Sequence, residues 1–288
     1  MEPIVFIFDI FSHFNRIWNV KTKDGIPTDG LSYRNGEPVF CLKPLIKLVQ
    51  NEINAMAKMG VVNTHIAIVF DPIGKNFRHD LFKNYKGNRP PKLAERKRQE
   101  ELIYEMFEAL GYPCLRIDGV EADDVIATLA VKLSANDITS YLFTGDKDIM
   151  SLCNKNTFVY AGVQKKLYSE REVRLKFNLP VERIIDYLAM MGDTADNIAG
   201  IRGVGAKSAV KMLAEFTLDD ILAEPDILLD LDVRGVKKMV KTIKDDREDI
   251  LLMRKLVALK TDVQLNTNLK ELVCKPSDRS VFLNGFLN

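Results

Sequence analysis

The segment HIAIVFD, His65 to Asp71, is an apolar, β-branched and aromatic run that ends in an acid. Two further segments have the same design, namely IVFIFD, which ends at Asp9, and SYLFTGD, which ends at Asp146. Short apolar runs of this composition indicate buried β-strands. The sequence therefore predicts three buried strands, and a carboxylate stands at the end of each one.

Helical patterns separate these strands along the chain. They cover Leu45 to Met59, Leu93 to Leu110 and Asp123 to Leu133. Strands that alternate with helices indicate an α/β protein with a central, mostly parallel sheet. The strands of such a sheet end at a common edge, where active sites form. We therefore expect the three strand-end carboxylates to converge there, although they are distant in sequence.

A denser acidic cluster lies in GVEADD, Gly119 to Asp124, at the start of a predicted helix. Acids at a helix start are stabilised by the helix dipole, each by about 0.3–1 kcal/mol. That effect accounts for one or two carboxylates but leaves a third one repelled by its neighbours. We therefore expect Glu121, Asp123 and Asp124 to face the same sheet edge and to share a positive partner there.

Two more acidic pairs extend this inventory. TGDKD supplies Asp146 and Asp148, and MGDTADN supplies Asp193 and Asp196. A single pair of this kind is more often a turn or a helix cap than a metal site. Hard divalent cations nevertheless prefer carboxylate oxygens, and Mg²⁺ takes a few carboxylates while it keeps several waters. Four acidic clusters around one predicted sheet edge therefore indicate a site for one or two divalent ions.

The charges of the chain are strongly segregated, although its net charge is only +1. Pro72 to Arg98 carries nine Lys or Arg residues and two acids. Such a run is commonly a solvated helix face, but Gly87, Pro90 and Pro91 interrupt regular structure here. A flexible basic segment with aromatic side chains suits the phosphates and exposed bases of nucleic acids. Its candidate DNA-binding residues are Arg78, Lys83 and Lys92.

GIRGVGAKSA, Gly200 to Ala209, is a glycine-rich loop between two predicted helices. It does not match a P-loop, because Ala206 separates the last glycine from Lys207 and because a helix precedes the loop. Glycines let backbone N–H groups approach a phosphate, and a helix start adds its dipole. The alternative is a plain helix–turn–helix corner. The candidate contacts to a DNA backbone are Gly200, Gly203, Gly205, Lys207 and Ser208.

Composition excludes several other classes of protein. The 288-residue chain is 47% hydrophobic, which is enough for a substantial core. It has no apolar run of the roughly 18 residues that a membrane span requires, and its start lacks the basic region of a secretory signal. The four cysteines and three histidines form no ligand pattern, so neither zinc nor disulfides are expected. We expect a cytoplasmic protein without a membrane partner.

Four motifs taken together resemble the 5′-nuclease, or flap endonuclease, family, especially the 5′→3′ exonuclease domain of bacterial DNA polymerase I and its phage-encoded relatives. The resemblance extends over about Ile4 to Leu265. The ordered set is far more specific than any one of its members. The motifs stand here as FDPIGKNFRHDLFKNYKGNRPP, GVEADDVIATLA, TGDKDIMSL and MGDTADNIAGIRGVGAKSA.

The resemblance implies a PIN-like or resolvase-like α/β core with a helical arch over the active site, followed by a helix–three-turn–helix DNA-binding domain. On that basis we expect the core in residues 1–174, with the basic arch at about 74–110. The helical domain is expected in residues 175–265, and a C-terminal tail in residues 266–288.

The resemblance also implies two sites for Mg²⁺ or Mn²⁺. In the family, one site uses the acids that match Asp71, Glu121, Asp123 and Asp124, with Asp9 nearby. The second site uses the acids that match Asp146, Asp148, Asp193 and Asp196. All nine acids are present in this chain.

Further roles are implied outside the metal sites. The residues that match Lys86 and Arg89 assist the scissile phosphate, and the aromatic residue that matches Tyr85 stacks near the 5′ end. The GIRGVG loop resembles the one that holds the uncleaved duplex, often with a bound K⁺. The chain departs from the family beside Asp9, where Ile10 and Phe11 replace small residues. It departs again at residue 199, where alanine replaces a common proline.

We therefore expect a two-metal-ion, structure-specific 5′ nuclease that acts as a 5′→3′ exonuclease and flap endonuclease in DNA replication or repair. Its partner is expected to be DNA with a 5′ single-stranded end or flap, and a monomer in a bacterial or phage-infected cell is expected. Two alternatives remain at this point. One is a ribonuclease of related fold, and the other is a non-catalytic module that binds DNA junctions and uses its acids structurally.

Overall fold

The computed structural model describes residues 2–23, 26–27, 33–34 and 36–273. A six-stranded sheet lies at its centre. Its strands are β1 (Ile4–Asp9), β2 (His65–Phe70), β3 (Cys114–Arg116), β4 (Thr139–Phe143), β5 (Thr157–Ala161) and β6 (Lys166–Tyr168). Their spatial order is β6-β5-β4-β1-β2-β3, and all neighbours are parallel except β5 and β6. The predicted mostly parallel sheet is confirmed.

Helices cover the sheet and form most of the chain after residue 180, which we call the helical half. Those before residue 180 are α1 (Ile10–Lys21), α2 (Leu42–Lys58), α3 (Phe77–Leu81), α4 (Ala94–Ala109), α5 (Ala122–Ala135) and α6 (Glu170–Phe177). Those of the helical half are α7 (Ile184–Met191), α8 (Ala206–Glu215), α9 (Leu218–Ala223), α10 (Val236–Asp245) and α11 (Arg247–Val257). After β6, Gly192–Asp193 pairs with Ile198–Ala199 in a short antiparallel ladder.

The side chains of the strands alternate between two cores. Phe6, Phe8 and Phe143 point to one face and pack with α1, α2 and α4, and the rings of Phe8 and Phe143 stack with centroids 4.1 Å apart. Val5 and Ile7 point to the other face, where α5 and the helical half cover the sheet. Burial of one such side chain contributes about 1.5–3 kcal/mol. Both faces are therefore apolar, which explains the uninterrupted hydrophobic runs.

The register of the strands fixes where the site forms. Phe8 pairs with Phe143 and Asp9 pairs with Val69, so β1, β2 and β4 end at nearly the same level. Helix α1 begins directly after Asp9. Ile10 is fully buried and Phe11 is nearly so, which means that the two bulky residues beside Asp9 are part of the hydrophobic core.

The remaining sequence expectations concern the ends and the surface of the chain. Of the predicted C-terminal tail, residues 266–288, the part from residue 274 onward, with Cys274, lies outside the described residues. Within the described ranges, no helix is both long enough and apolar enough to cross a membrane.

Candidate active site

Four carboxylates line one open cavity at the carboxyl edge of the sheet. Asp9 ends β1, Asp71 follows β2, Asp146 follows β4, and Asp123 lies in the first turn of α5. The cavity has a volume of about 420 Å³. Three cationic side chains share it, namely Lys86, Arg89 and Lys147. The structure thus brings together acids that are up to 137 positions apart in the chain, from Asp9 to Asp146.

Hydrogen bonds hold two of these carboxylates in place. The Ser12 backbone N–H donates to Asp9 Oδ1 at 3.0 Å, and the Thr144 hydroxyl donates to Asp9 Oδ2 at 2.8 Å. The Ala122 backbone N–H, at the start of α5, donates to Asp71 Oδ1 at 3.0 Å. The site is therefore assembled by the strand ends and by the first turn of α5.

The cluster carries more negative charge than its surroundings compensate. Burial, followed by the charge of Asp71, raises the pKa of Asp9 to about 6. Burial, followed by the charge of Asp146, raises the pKa of Asp123 well above its usual range. The pKa of Asp148 rises to about 7 because of burial and the charge of Asp146, and among the described residues its buried Oδ1 has no hydrogen-bond partner. Such a cluster requires protons or cations to relieve its repulsion.

A second group of acids is already compensated by basic side chains. Asp196 Oδ1 lies 2.5 Å from Arg89 and its Oδ2 lies 3.7 Å from Lys86 Nζ, which also contacts Glu121. Asp193 Oδ2 lies 3.2 Å from Lys147 Nζ. Burial by itself would raise the pKa of Glu121 and of Asp193. The positive charges of their lysine partners outweigh this effect, so both pKa values lie below the usual range.

Asp124 and Arg78 differ most from the sequence predictions. Asp124 is fully buried, and both of its oxygens accept from the Arg78 guanidinium at 2.6 and 2.9 Å. Arg78 is only 2% exposed, and it donates further to Glu121 and to the backbone oxygens of residues 256 and 258. Arg78 therefore ties α3 to α5 and to the end of α11, instead of facing DNA. Asp124 points to this arginine and does not line the cavity.

Tyr85 also lies elsewhere than expected. Its side chain is 3% exposed, its ring meets His79 edge-on, and its hydroxyl lies 3.0 Å from Glu121 Oε2 and 2.9 Å from Asp196 Oδ2. An aromatic ring in this position is not available to stack on a base. In this structure it connects the acids of two separate motifs.

The predicted basic arch is docked against the acidic loop of the helical half. The Lys86 backbone N–H donates to the Asp196 carbonyl at 2.9 Å, and the Asn197 side chain donates to the Asn84 carbonyl at 2.8 Å. Lys92 pairs with Glu100 at 2.8 Å. Lys83 is exposed, as its expected contact with DNA requires.

The glycine-rich loop adopts the tight course that its sequence suggested. Gly203 has φ +94°, which favours glycine. A Cβ at Gly200 would come within 2.4 Å of the backbone of Met191, so only glycine fits there. Gly205 is the N-cap of α8, and Lys207 is exposed in the first turn of that helix, next to the half-buried Ser208.

Sequence reasoning missed two contributions to the site. Lys147 enters the cavity between the two acids of TGDKD, where its position in the motif was a usable signal. His13 and Glu52 form a buried pair beneath Asp9, with 2.7 Å between His13 Nε2 and Glu52 Oε2. Glu52 lies in the middle of α2, and nothing in the local sequence separates it from an ordinary surface acid.

The residues of the cavity fit hard divalent cations by their chemistry. The donors are carboxylate oxygens, which are in excess over the cationic side chains of the cavity. Beside the cavity, one buried oxygen of Asp148 finds no hydrogen-bond partner in the part of the chain that the structure describes. Within the described residues, no three Asp, Glu, His or Cys side chains already stand in a closed metal-binding geometry.

Comparison with known proteins identifies family models and relatives that match this chain. A family model described as the 5′-3′ exonuclease N-terminal resolvase-like domain matches residues 5–178, and one described as the 5′-3′ exonuclease C-terminal SAM fold matches residues 179–280. DNA polymerase I of Rhizobium leguminosarum is 36% identical over 279 residues, which are 96% of this chain and 26% of that protein. The chain thus spans about a quarter of the length of this relative.

Relatives of similar size are also found. A 5′-3′ exonuclease of Buchnera aphidicola subsp. Baizongia pistaciae is 32% identical over 226 residues, which are 78% of this chain and 75% of that protein. The structure of the bacteriophage T5 flap endonuclease in a complex with DNA and metal ions matches with a TM-score of 0.66 and 25% identity, over 90% of both chains. The chain therefore belongs to the 5′-3′ exonuclease family.

Proposed function

We propose that this chain is a divalent-metal-dependent, structure-specific 5′ nuclease that hydrolyses DNA phosphodiesters near the junction of a 5′ single strand with duplex. The observation that carries the proposal is the cavity in which Asp9, Asp71, Asp123 and Asp146 meet with Lys86 and Arg89. Membership of the 5′-3′ exonuclease family supports it, as does the fold shared with a phage flap endonuclease that binds DNA and metal ions.

Two Mg²⁺ or Mn²⁺ ions are the proposed cofactors. Asp9, Asp71 and Asp123 would hold the first, and Asp146 and Asp148, joined by Asp193 and Asp196, the second. When bound, such ions supply Lewis-acid stabilisation of phosphoryl charge and lower the pKa of a water nucleophile. Glu121 would support the first site from the side of Lys86.

The basic residues of the cavity orient the scissile phosphate in this proposal. Lys86 and Arg89 lie at one wall of the cavity, with Arg89 more exposed than Lys86, so both can turn from their acid partners to a phosphate oxygen. Fixed cations at that position stabilise the charge that develops during hydrolysis. In the structure the same two side chains pair with Glu121 and Asp196. In the proposed complex they would instead contact the substrate phosphate, and metal ions would replace them as partners of the two acids.

The GIRGVG loop and the start of α8 are the proposed grip on the uncleaved duplex. Backbone N–H groups, the helix dipole and exposed Lys207 suit phosphates without regard to sequence. A K⁺ ion at this loop is part of the proposal, and so is action as a monomer. Lys83 and Lys92 would add contacts from the basic segment.

The test is a labelled 5′-flap duplex, incubated with the chain in Mg²⁺ and in EDTA. We expect cleavage near the junction in Mg²⁺ only, with 5′-phosphate and 3′-hydroxyl ends. A matched substrate with an RNA flap tests the nature of the single strand. Equal cleavage in EDTA would exclude metal dependence, and tight binding without cleavage in Mg²⁺ would indicate a junction-binding module.

A further inference from the structure

His13 and Glu52 form a buried ion pair directly behind the active-site edge. His13 Nε2 lies 2.7 Å from Glu52 Oε2, and the two residues are 6% and 5% exposed. The other ring nitrogen, Nδ1, lies 2.7 Å from the backbone oxygen of Asp9. Both nitrogens of the imidazole are therefore engaged, one with the strand end and one with α2.

The surroundings are shaped to hold this pair. A Cβ at Gly162, just after β5, would lie 1.8 Å from Glu52 Oε1, so the absence of a side chain there makes room for the carboxylate. The pair thus connects α1, α2 and the turn after β5. These are three elements that are far apart in the sequence.

Apart from its backbone N–H, every polar atom of Asp9 forms a hydrogen bond with a neighbouring residue. Ser12 and Thr144 hold the two carboxylate oxygens, and His13 holds the carbonyl oxygen. Because β1 passes into α1 without a loop, a tilt of the first turn of α1 would move this carboxylate. We propose that the His13–Glu52 pair is a positioning brace that fixes Asp9 for divalent-metal binding, an inference that depends on the proposed function.

Stability alone does not account for the pair. Desolvation of two charged groups costs about as much as their attraction returns, and apolar replacements of buried ion pairs are often neutral or stabilising. Partners that orient metal ligands, by contrast, typically change metal affinity by about 10–100-fold when they are removed. The two explanations therefore predict different results for an apolar replacement of both residues.

The test is the double variant His13→Leu/Glu52→Met, which fills the space without the brace. We expect a melting temperature near that of the unmodified chain and Mn²⁺ binding that is weaker by about 10–100-fold, measured by calorimetric titration without DNA. Cleavage of a 5′ flap should recover at saturating metal, because the brace acts on binding. The conservative variant Glu52→Gln, which keeps an acceptor for His13, should retain most of the Mn²⁺ affinity.

Asp186→Asn is the matched control. Asp186 is a buried acid too, 2.9 Å from Arg254 Nε, but it lies in the helical half, so its loss should change stability and leave Mn²⁺ affinity unchanged. The proposed brace would be wrong if a folded double variant bound Mn²⁺ as tightly as the unmodified chain. It would also be wrong if Asp186→Asn weakened Mn²⁺ binding as much as the double variant does. If the double variant does not fold, Glu52→Ala replaces it under the same criteria. Absence of Mn²⁺ binding in the unmodified chain would overturn the proposed function itself.

Discussion

The acids of this protein form two groups that differ in how their charge is compensated. Asp9, Asp123, Asp146 and Asp148, which we call the unpaired group, lie at or beside the edge of the sheet, and their pKa values are raised by burial and by neighbouring carboxylates. Glu121 and Asp193 lie against lysines, and their pKa values are lowered. The same residue types thus occupy opposite electrostatic states within one site.

The difference shows which charges the fold itself neutralises. A carboxylate paired with lysine is stabilised in the folded chain without any ligand. A carboxylate that repels its neighbours destabilises the folded chain until a proton or a cation arrives. The unpaired group is therefore the part of the site that depends most on metal, and variants of the two groups should change stability in opposite directions.

The largest effect is expected for Asp123→Asn. Loss of this carboxylate should lower flap cleavage by about a thousandfold or more, because several kcal/mol of charge stabilisation depend on the metal site. In EDTA the same variant should melt at a higher temperature than the unmodified chain, since repulsion is relieved. Single-turnover cleavage and thermal unfolding measure the two effects.

Two further variants sharpen this result. Asp193→Asn should melt at a lower temperature in EDTA, because Lys147 loses its partner. Asp137→Asn removes an exposed acid that pairs with Lys155, accepts a hydrogen bond from Asn156 and lies outside the cavity, so it should leave cleavage unchanged. A rise in melting temperature for both Asp123→Asn and Asp193→Asn would contradict the division into two groups.

The next largest effect is expected for Arg78→Met. Removal of one partner from a buried ion pair typically costs about 3–5 kcal/mol, because the other charge stays buried without compensation. Asp124 and Glu121 would both lose this guanidinium. Denaturant unfolding should show a loss of this size, whereas Lys83→Met, at an exposed position, should show almost none. A stable Arg78→Met variant with weakened DNA binding would restore the role that the sequence suggested for Arg78.

The sequence predicted the strand-end acids well because sheet topology alone brings them together. Apolar runs, helical spacers and parallel order were sufficient to place Asp9, Asp71 and Asp146 at one edge. Side-chain direction was harder to predict in GVEADD. Adjacent helix residues point about 100° apart, so Asp123 and Asp124 cannot face the same space.

The direction of Asp124 is set by a segment to which the sequence assigned no chemistry. The Lys260 backbone N–H donates to Asp124 Oδ1 at 2.7 Å, and the Val263 N–H donates to the Thr128 hydroxyl at 3.2 Å. Asp124 and Thr128 are one turn apart, so this segment packs along one face of α5. Tyr85 and Arg78 were misplaced for the same reason, because their partners lie 111 and 46 positions away in the chain.

A dependence of stability on pH follows from the unpaired group. The pKa of Asp9 rises from 3.8 to about 6 on folding, and that of Asp148 to about 7. A raised pKa gives stability that is complete below the unfolded value and is lost as pH rises through the folded value. In EDTA, the free energy of unfolding should therefore fall between pH 5.5 and pH 8, by about 3 kcal/mol.

A measurement in saturating Mg²⁺ distinguishes the contribution of the acids to this pH dependence from that of other titrating groups. His13 also has a raised pKa, because the bond to Glu52 outweighs its burial, so it adds to the same trend. In the proposed metal sites only the acids exchange protons for metal, and Mg²⁺ should therefore flatten most of the slope of the free energy of unfolding against pH. A slope that is identical with and without Mg²⁺ would assign the pH dependence to His13 and not to the unpaired acids.

The smallest effect is expected where a charge faces solvent instead of the cavity. Lys207 is exposed at the start of α8, and its replacement by alanine should weaken duplex binding for all sequences alike. The slope of log Kd against log salt should decrease in magnitude by about 1, the value for one lost phosphate contact. Lys58→Ala is the control, because Lys58 is exposed at the end of α2, beside the opposite edge of the sheet. Equal slopes for the two variants would show that the start of α8 does not grip the duplex, and would leave the acidic cavity as the only part of the site with a defined role.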